Sequence, residues 1–333
     1  MKRILLFVLI IGALASCKKQ THTPQPDRSF QLSANSLTLD AGTTGALSSN
    51  KYSTSELNWS SSDSTIATVD TTGLITALKS GSVIITAKQK TYNVSATCSV
   101  AVNVAKFTDV GVGADGSVFA IGATPVPSIG GFNVFKIVNG EMHKLPDCSA
   151  VRVAVSPQGV PWVITSSNQV LKYVNGAWQT MPGNASDIGI GADGSIFAIS
   201  TVVYSPSGGF TILKWNGSAF TTMTDCSGIH IAVGPNGIPW VVNKSNVVFQ
   251  YSGTVLWNLM PGVSANDIAI GTDGRVYVTN ASSGVAGYQP PIFKYNSTNA
   301  TWAQLPGIFG TSISASSAGK IWWIDETGLL HNQ

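Results

Sequence analysis

The chain has 333 residues, of which nineteen are basic and sixteen acidic, giving a formal net charge of +3. Only 11% of the residues are charged, against about 25% in typical soluble domains, so the chain lacks the basic surface that nucleic-acid binding requires. Abundant glycine and the absence of helical periodicity predict a protein built from many short strands.

The beginning of the chain has the features of an export signal. Two positive charges precede an apolar run over residues 4–14, which is too short to span a bilayer. The letters LASC at 14–17 resemble the bacterial lipobox, in which a leucine and two small residues precede a cysteine that becomes lipidated. The resemblance implies a signal peptide over residues 1–16 and a lipid-bilayer anchor at Cys17.

Residues 17–28 are polar and contain proline, which is typical of a solvated tether. Lys18 stands where related lipoproteins use aspartate as a signal for inner-membrane retention. The resemblance therefore implies an outer-membrane location, and either the periplasmic or the external face is possible.

Residues 29–105 alternate apolar and polar side chains in short runs, which predicts a small β-sandwich. The stretch LNWSSSDSTIATVDTTGLITALKSGSVIITA at 57–87 resembles the bacterial Ig-like domain of group 2, a family whose members often act as spacers or adhesive modules. The predicted core residues of this domain are Trp59, Ile66, Val69, Ile75, Ile84 and Ile85.

From residue 107 onward the sequence repeats itself. The stretch DIGIGADGSIFAIS at 187–200 recurs with few changes at 109–122 and 267–280. A repeat period of about 20–50 residues indicates a solenoid or a propeller. Turn glycines 35 to 45 residues apart define six units, long and short in alternation: Gly116, Gly159, Gly194, Gly237, Gly274 and Gly319.

Each unit contains four short apolar runs separated by turns. Asn-Gly pairs at 139–140, 175–176 and 216–217 favour two-residue hairpins, because both central residues tolerate positive φ. The units therefore predict four-stranded antiparallel blades. The predicted fold class is all-β, with an N-terminal Ig-like β-sandwich followed by a six-bladed β-propeller over residues 106–333.

The even units carry a motif such as IAVGPNGIPWVVN at 231–243, and units end in WQTMPGNASDI, WNLMPGVSANDI or WAQLPGIFGTSI. These motifs resemble tectonin repeats, the propeller blades of tectonins, tachylectin-1 and fish-egg lectin. The resemblance implies a six-bladed propeller and, in several family members, glycan binding. Two units depart from the pattern, because unit 1 has EMHKLPD and unit 3 has Phe220 where a tryptophan is expected.

Closure of the propeller has two possible solutions. Only fourteen residues follow Gly319, too few for a complete last blade. Residues 99–107 could supply the missing strand, yet the same segment is needed as the last strand of the Ig-like domain. Either the last blade has three strands, or the two domains share one continuous strand.

The sequence offers no clear catalytic set. Asp109, Asp187 and Asp267 recur in the odd units, which is typical of capping or turn residues. Among the histidines, His230 and His331 share no metal-ligand spacing. We therefore predict no enzymatic activity, no metal and no cofactor; a pair of carboxylates converging at the axis would favour a hydrolase or lyase instead.

Aromatic residues are the candidates for ligand binding. One repeat position on the second strand carries a tryptophan in every even unit; these rings either pack between blades or stack on a sugar. An additional tryptophan follows in unit 6, where the neighbouring units 4 and 5 have valine, and two tyrosines lie in the long loops of the odd units at 201–210 and 280–291. The candidates are Trp162, Trp240, Trp322, Trp323, Tyr204 and Tyr288.

The sequence therefore predicts a lipid-anchored envelope protein whose propeller binds a glycan, with the Ig-like domain as a spacer. Several weak sites on one platform would act together through avidity. The alternative is a structural or adhesive surface protein that binds a protein partner through the propeller face, since a fold does not fix a function.

Overall fold

A computed structural model describes the part of the chain that carries both domains. The described residues are 26–126, 130–204, 209–254, 256–281 and 287–333. The predicted signal peptide, the predicted lipidation site Cys17 and most of the predicted tether lie outside this range. Within the described ranges, no helix has the length and apolar character needed to cross a membrane.

The Ig-like domain consists of two sheets, as the sequence predicts. Its strands are β1 (Ser36–Asp40), β2 (Thr44–Ala46), β3 (Leu57–Ser61), β4 (Ala67–Val69), β5 (Leu74–Ala77), β6 (Gly81–Gln89) and β7 (Ser95–Asn103). One sheet has the order β1-β7-β6-β3, with β1 parallel to β7, and the other has the order β2-β5-β4. A single 3-10 turn, Thr54–Glu56, precedes β3.

Side chains along β6 point alternately into this core and away from it. Ile85 is fully buried, as is Ile75 on β5. Ile84 is exposed, so its predicted place in the core is wrong. Successive side chains of a strand point to opposite faces, and two neighbouring isoleucines cannot both face the same core.

The propeller consists of six antiparallel blades, of which blades 1 and 2 are joined into one sheet by the pairing of Phe132 with Ala150. Blade 1 contains β8 (Phe107–Val112), β9 (Val118–Pro125), β10 (Phe132–Val138) and β11 (Glu141–Lys144). Blade 2 contains β12 (Ala150–Val155), β13 (Pro161–Thr165), β14 (Gln169–Val174) and β15 (Ala177–Asn184). Blade 3 contains β16 (Asp187–Ile190), β17 (Ile196–Val203), β18 (Phe210–Trp215) and β19 (Phe220–Gly228).

The remaining blades follow the same plan until the last one. Blade 4 contains β20 (His230–Val233), β21 (Pro239–Val242), β22 (Val248–Tyr251) and β23 (Trp257–Met260). Blade 5 contains β24 (Ala265–Ile270), β25 (Val276–Asn280), β26 (Pro291–Asn296) and β27 (Thr301–Phe309). Blade 6 contains β28 (Ser312–Ala315), β29 (Ile321–Ile324) and β30 (Leu330–Asn332), with a 3-10 turn at Ser317–Gly319.

Glycines on the innermost strands allow these strands to approach one another around the axis. A Cβ on Gly111 would lie 2.8 Å from the carbonyl oxygen of Val153 on the next blade, and one on Gly189 would lie 2.9 Å from that of Ile231. Real Cβ atoms do not come this close to a backbone oxygen. The repeated glycines therefore serve the scaffold.

The predicted Asn-Gly hairpins form in two of three places. Asn139 and Asn175 have positive φ, as do the glycines that follow them. Asn216 does not: its side-chain oxygen instead accepts hydrogen bonds from the backbone N–H groups of Ser218 (3.0 Å) and Ala219 (2.9 Å). Two extra residues before the outer strand leave room for this Asx turn, which replaces the tight hairpin.

Propeller closure follows the first of the two predicted solutions. Strand β7, which includes residues 99–103, pairs with β1 and β6 inside the Ig-like domain. Blade 6 consequently contains three strands, and among the described residues no strand pairs with the outer edge of β30.

The two domains share one core despite this separation of strands. Phe107, at the start of blade 1, packs in the same cluster as Val102 of the Ig-like domain and Ile324 of blade 6. Thr124 donates a hydrogen bond to the Asp40 carboxylate across the domain junction at 2.8 Å. The Ig-like domain is thus packed against blades 1 and 6.

Candidate functional site

A ring of polar side chains surrounds the propeller axis. The odd blades each contribute an aspartate from their inner strand, and the even blades contribute an arginine, a histidine or a serine at the same repeat position. In chain order the ring consists of Asp109, Arg152, Asp187, His230, Asp267 and Ser312. It lies at a central cavity of about 90 Å³, with all three carboxylates and the arginine in the lining.

Each aspartate of this ring binds the inner strand of the next blade. One oxygen of Asp109 accepts the backbone N–H of Val153 at 2.7 Å, and Asp187 accepts that of Ile231 at 2.9 Å. Asp267 accepts the N–H of Ile313 at 3.0 Å. These bonds join successive blades, so the three aspartates link neighbouring inner strands instead of capping or forming turns in their own units.

The side chains of the even blades lie between these carboxylates. The Arg152 guanidinium is 3.7 Å from Oδ1 of Asp109 through Nη1 and 3.8 Å from Oδ1 of Asp187 through Nε. Nδ1 of His230 lies 3.3 Å from Oδ2 of Asp187, and the Ser312 hydroxyl donates to Asp109 at 3.0 Å. The ring thus alternates acceptors with donors around the axis.

Two groups of the ring have raised pKa values. Burial raises the pKa of Asp109 to about 7; Asp267 and Asp187 act in the same direction, and Arg152 opposes them. Burial alone would lower the pKa of His230, but the contact with Asp187 outweighs it and raises that pKa above its ordinary value. Asp109 and His230 therefore retain protons that exposed groups would release.

Sequence reasoning identified the three aspartates but missed the ring. Arg152 was not among the candidates, and His230 was considered only for metal-ligand spacing. Alignment of the six inner strands contains the missing signal, because one column reads Asp, Arg, Asp, His, Asp, Ser. Three carboxylates do converge at the axis, the feature that would favour hydrolase chemistry, but each has an oxygen committed to a backbone N–H of the next blade.

Two of the candidate aromatic residues are packed between blades. Trp162 and Trp240 are only 3% and 6% exposed. The Trp162 ring meets that of Trp215 edge-on at 5.9 Å, and the Trp240 ring meets that of Tyr295 at 5.5 Å. In this structure neither indole offers a free face on which a sugar could stack.

The two tryptophans of blade 6 point to opposite sides of β29. Trp323 is partly buried between blades 5 and 6, where its ring stacks on His331 at 5.3 Å with an interplanar angle of 20°. Trp322 faces blade 1 and the Ig-like domain, and it is also partly buried. Trp323 therefore has one ring face covered, whereas Trp322 lines an apolar groove between blade 6, blade 1 and the Ig-like domain.

The tyrosine candidates lie in two different clefts. The Tyr288 hydroxyl accepts a hydrogen bond from Nδ2 of Asn280 at 2.8 Å in blade 5. Part of its loop, residues 282–286, lies outside the described residues, as do residues 205–208 of the Tyr204 loop. Tyr204 itself lines a cleft between blades 3 and 4.

The cleft between blades 3 and 4 combines aromatic and polar side chains. Its volume is about 300 Å³. Strands β17 and β19 of blade 3 and strands β21 to β23 of blade 4 position its walls. The lining residues are Tyr204, Asp225, Cys226, Ser227, Asn243, Phe249, Leu256 and Trp257.

One buried N–H group at this cleft has no acceptor among the described residues. Nε1 of Trp257 is buried without a hydrogen-bond partner, as is the equivalent Nε1 of Trp302 in blade 5, whereas that of Trp178 in blade 2 donates to the carbonyl of Pro146 at 2.7 Å. An unpartnered buried donor costs about 1–3 kcal/mol, so the Trp257 N–H favours a ligand that offers an acceptor. Half-buried Asn243 lines the same cleft, and its Oδ1 accepts the backbone N–H groups of Ser245 and Val247, which directs its Nδ2 away from this turn.

Thiol chemistry is disfavoured in the same cleft. Burial raises the pKa of Cys226 to about 11, so the thiol stays protonated near neutral pH. Its repeat equivalent, Cys148, has a pKa that burial raises to about 12. All three described cysteines are free.

Comparison with known proteins agrees with the observed architecture. The sequence matches the Tectonin domain over residues 131–326 and the bacterial Ig-like domain of group 2 over residues 28–100. No curated protein matches the chain significantly. The tectonin-type propeller indicates a binding or scaffold role.

Solved structures with a similar fold are distant in sequence. The structure of YCF48 bound to D1 peptide is 14% identical, with a TM-score of 0.46, over 80% of this chain and 88% of that one. The WD40 propeller domain of Doa1 is 12% identical, with a TM-score of 0.46 and the same coverage. TolB from Acinetobacter baumannii is 12% identical, with a TM-score of 0.48, over 68% of this chain and 60% of that one.

These structural similarities are too distant to support an argument about ligands. The family match, in contrast, covers more than half of the chain, and its boundaries fall within the propeller that begins at β8. The chain belongs to the Tectonin domain family and carries a bacterial Ig-like domain of group 2 before its propeller.

Proposed function

We propose that the chain is an envelope lipoprotein that binds carbohydrate in the cleft between blades 3 and 4. The observation that carries this proposal is the unpartnered indole N–H of Trp257 at a cleft that Tyr204 and Asn243 also line. Sugars bind proteins by placing an apolar ring face on an aromatic side chain and their hydroxyl groups on fixed polar groups.

Each side chain has a distinct role in this proposal. The Tyr204 ring provides stacking surface, and its hydroxyl can donate or accept a hydrogen bond. Nδ2 of Asn243 and Nε1 of Trp257 donate to sugar hydroxyl groups, and the Asn243 donor is preorganised because its Oδ1 is fixed by two backbone N–H groups.

The envelope location rests on the sequence. Lipidation of Cys17 would attach the chain to a bilayer, and the lysine after it favours the outer membrane. The polar tether and the Ig-like domain would then hold the propeller away from that surface. Expression with radiolabelled palmitate, beside a Cys17→Ser variant, tests this part: label and membrane association should both be lost in the variant.

A glycan array with the purified protein tests carbohydrate binding. We expect specific binding that Tyr204→Ala removes and that Tyr92→Ala, a tyrosine on the Ig-like domain, leaves unchanged. Absence of binding to all glycans would contradict the proposal.

One feature of the cleft favours a protein partner as the second candidate. Leu256 is 65% exposed at the rim, and Leu259 on the outer strand that follows it is also exposed. Exposed apolar side chains beside a cleft are typical of protein-binding surfaces. Retained partner capture in a Tyr204→Ala variant, together with its loss in a Leu256→Ser variant, would favour this alternative.

A further inference from the structure

The outer edge of blade 6 presents backbone groups that the sheet does not use. The backbone N–H and carbonyl groups of Ile321 and Gln333 are hydrogen-bonded to each other, both at 3.1 Å. In an antiparallel pair, hydrogen-bonded and non-hydrogen-bonded positions alternate, so Asn332 and Leu330 direct their N–H and C=O groups away from β29. These two residues thus form an unpaired edge.

Beside this edge lies an apolar groove. Its volume is about 480 Å³, and Trp322 and Leu330 form one wall. Met142 of blade 1 belongs to the facing wall, together with Leu78 and Val104 of the Ig-like domain, which are 41% and 54% exposed. Large apolar side chains are thus exposed next to free strand-pairing groups.

The other even blades show what normally occupies this position. In blade 2 the fourth strand places Met181 opposite Val170, and in blade 4 it places Met260 opposite Val248. Met260 is buried against Trp240, in the core between blades 4 and 5. Leu330 is the equivalent residue of blade 6, and among the described residues none lies opposite it on its outer side.

The junction of blades 6 and 1 also has more room than its repeat equivalents. Trp162 meets the large ring of Trp215, and Trp240 meets that of Tyr295. Trp322 holds the same repeat position but shares its cluster with the smaller side chains of Ile137 and Met142. This difference leaves space for an incoming apolar side chain.

We propose that blade 6 accepts an extended segment of another protein as its fourth strand, antiparallel to β30. The bound strand hydrogen-bonds to the outward N–H and C=O groups of Leu330 and Asn332, and it places a methionine-sized or leucine-sized side chain opposite Leu330. Addition of a strand to an exposed sheet edge is a general mode of peptide recognition.

The required pattern can be read from the outer strands of this chain. An aromatic residue followed three positions later by Met or Leu occurs in four of them: Trp178 and Met181, Phe220 and Met223, Trp257 and Met260, Trp302 and Leu305. Residues 18–25 of this chain, KKQTHTPQ, lack any such pair, so they do not fit. The occupant that fits the edge is a segment of a partner with the aromatic-x-x-Met/Leu pattern.

A peptide with the blade 2 strand sequence NGAWQTMPGN, labelled with fluorescein, tests this proposal by fluorescence anisotropy with the purified protein. We expect saturable binding, weakened at least tenfold when aspartate replaces the methionine in the peptide.

Two protein variants distinguish strand addition from adhesion to apolar surface. Asn332→Pro removes an outward N–H without removing a hydrogen bond inside the sheet, and we expect at least a tenfold loss of affinity. Asn332→Ala keeps that N–H and should bind like the wild type. Met142→Trp fills the groove and should also abolish binding, while thermal unfolding shows whether each variant is folded.

Three results would overturn the proposal. The first is absence of binding at millimolar peptide, and the second is equal binding by Asn332→Pro and Asn332→Ala. The third is a dimer in solution that Asn332→Pro dissociates, because the occupant would then be a second copy of this chain. None of these results depends on whether the cleft between blades 3 and 4 binds carbohydrate.

Discussion

Asp109 shows how one buried carboxylate joins parts of the chain that are far apart in sequence. It accepts the backbone N–H of Val153 in blade 2 and the hydroxyl of Ser312 in blade 6, and it lies beside Arg152. The sequence revealed its recurrence, but these partners follow from the closing of the ring.

The raised pKa of Asp109 predicts a characteristic pH dependence of stability. Exposed aspartates have a pKa of about 3.9, so between about pH 4 and pH 7 the folded state retains a proton that the unfolded state has lost. The contribution of Asp109 to stability therefore falls as pH rises through this window, by up to about 1.4 kcal/mol per pH unit.

The variant Asp109→Asn should remove this dependence while keeping an acceptor for Val153. Urea unfolding at pH 5 and pH 7 measures the effect: the wild type should lose more stability than the variant between these two values. Parallel losses in both proteins would contradict the assignment of the proton to Asp109.

Removing the cation of the ring should be costly. Arg152→Leu leaves Asp109 and Asp187 close together without the guanidinium between them. Loss of one partner of a buried ion pair costs about 3–5 kcal/mol, and the partial exposure of Arg152 reduces the expected loss to about 2 kcal/mol. Denaturant unfolding at neutral pH measures it, and an unchanged midpoint would show that the ring does not hold the blades together.

At the scale of elements, the sequence predicted strand order and blade number because alternation and turn glycines are local signals. It did not determine which tryptophans are covered, because burial depends on the neighbouring blade. Trp162 and Trp322 share one repeat position, yet Trp215 covers the first and the second lines a groove. Tyr204 was likewise predicted only as a loop residue, since the cleft that it lines is completed by side chains from blade 4.

This difference in packing predicts different costs of substitution. Trp162→Ala removes a buried ring and should lower the free energy of unfolding by about 3–5 kcal/mol. Tyr204→Ala lies at a cleft and should cost about 1 kcal/mol or less. Thermal unfolding of both variants checks this ranking; a strongly destabilised Tyr204→Ala would indicate that the tyrosine is a structural residue.

For the whole molecule, the shared core predicts that the two domains unfold together. Phe135 of blade 1 packs with the Ig-like core, and a Cβ on Gly42, whose φ is +85°, would lie 2.7 Å from its ring. The sequence left this coupling open, because the path of residues 99–107 depends on which of the two domains is stabilised more by pairing with that strand.

Gly42→Ala should therefore destabilise the propeller as well as the Ig-like domain. We expect one calorimetric transition in the wild type and a lower midpoint in the variant, with a loss of about 1–3 kcal/mol from strain and overpacking. Two separate transitions, with only one displaced by the substitution, would show that the domains are independent.

The most direct test of carbohydrate binding at blades 3 and 4 is isothermal titration of the best array glycan into Asn243→Asp. This variant keeps the oxygen that accepts the N–H groups of Ser245 and Val247 but loses the Nδ2 donors. We predict at least a tenfold loss of affinity, with unchanged thermal stability and with wild-type affinity in the Tyr92→Ala control. Equal affinities of Asn243→Asp and the wild type would contradict a binding site in this cleft.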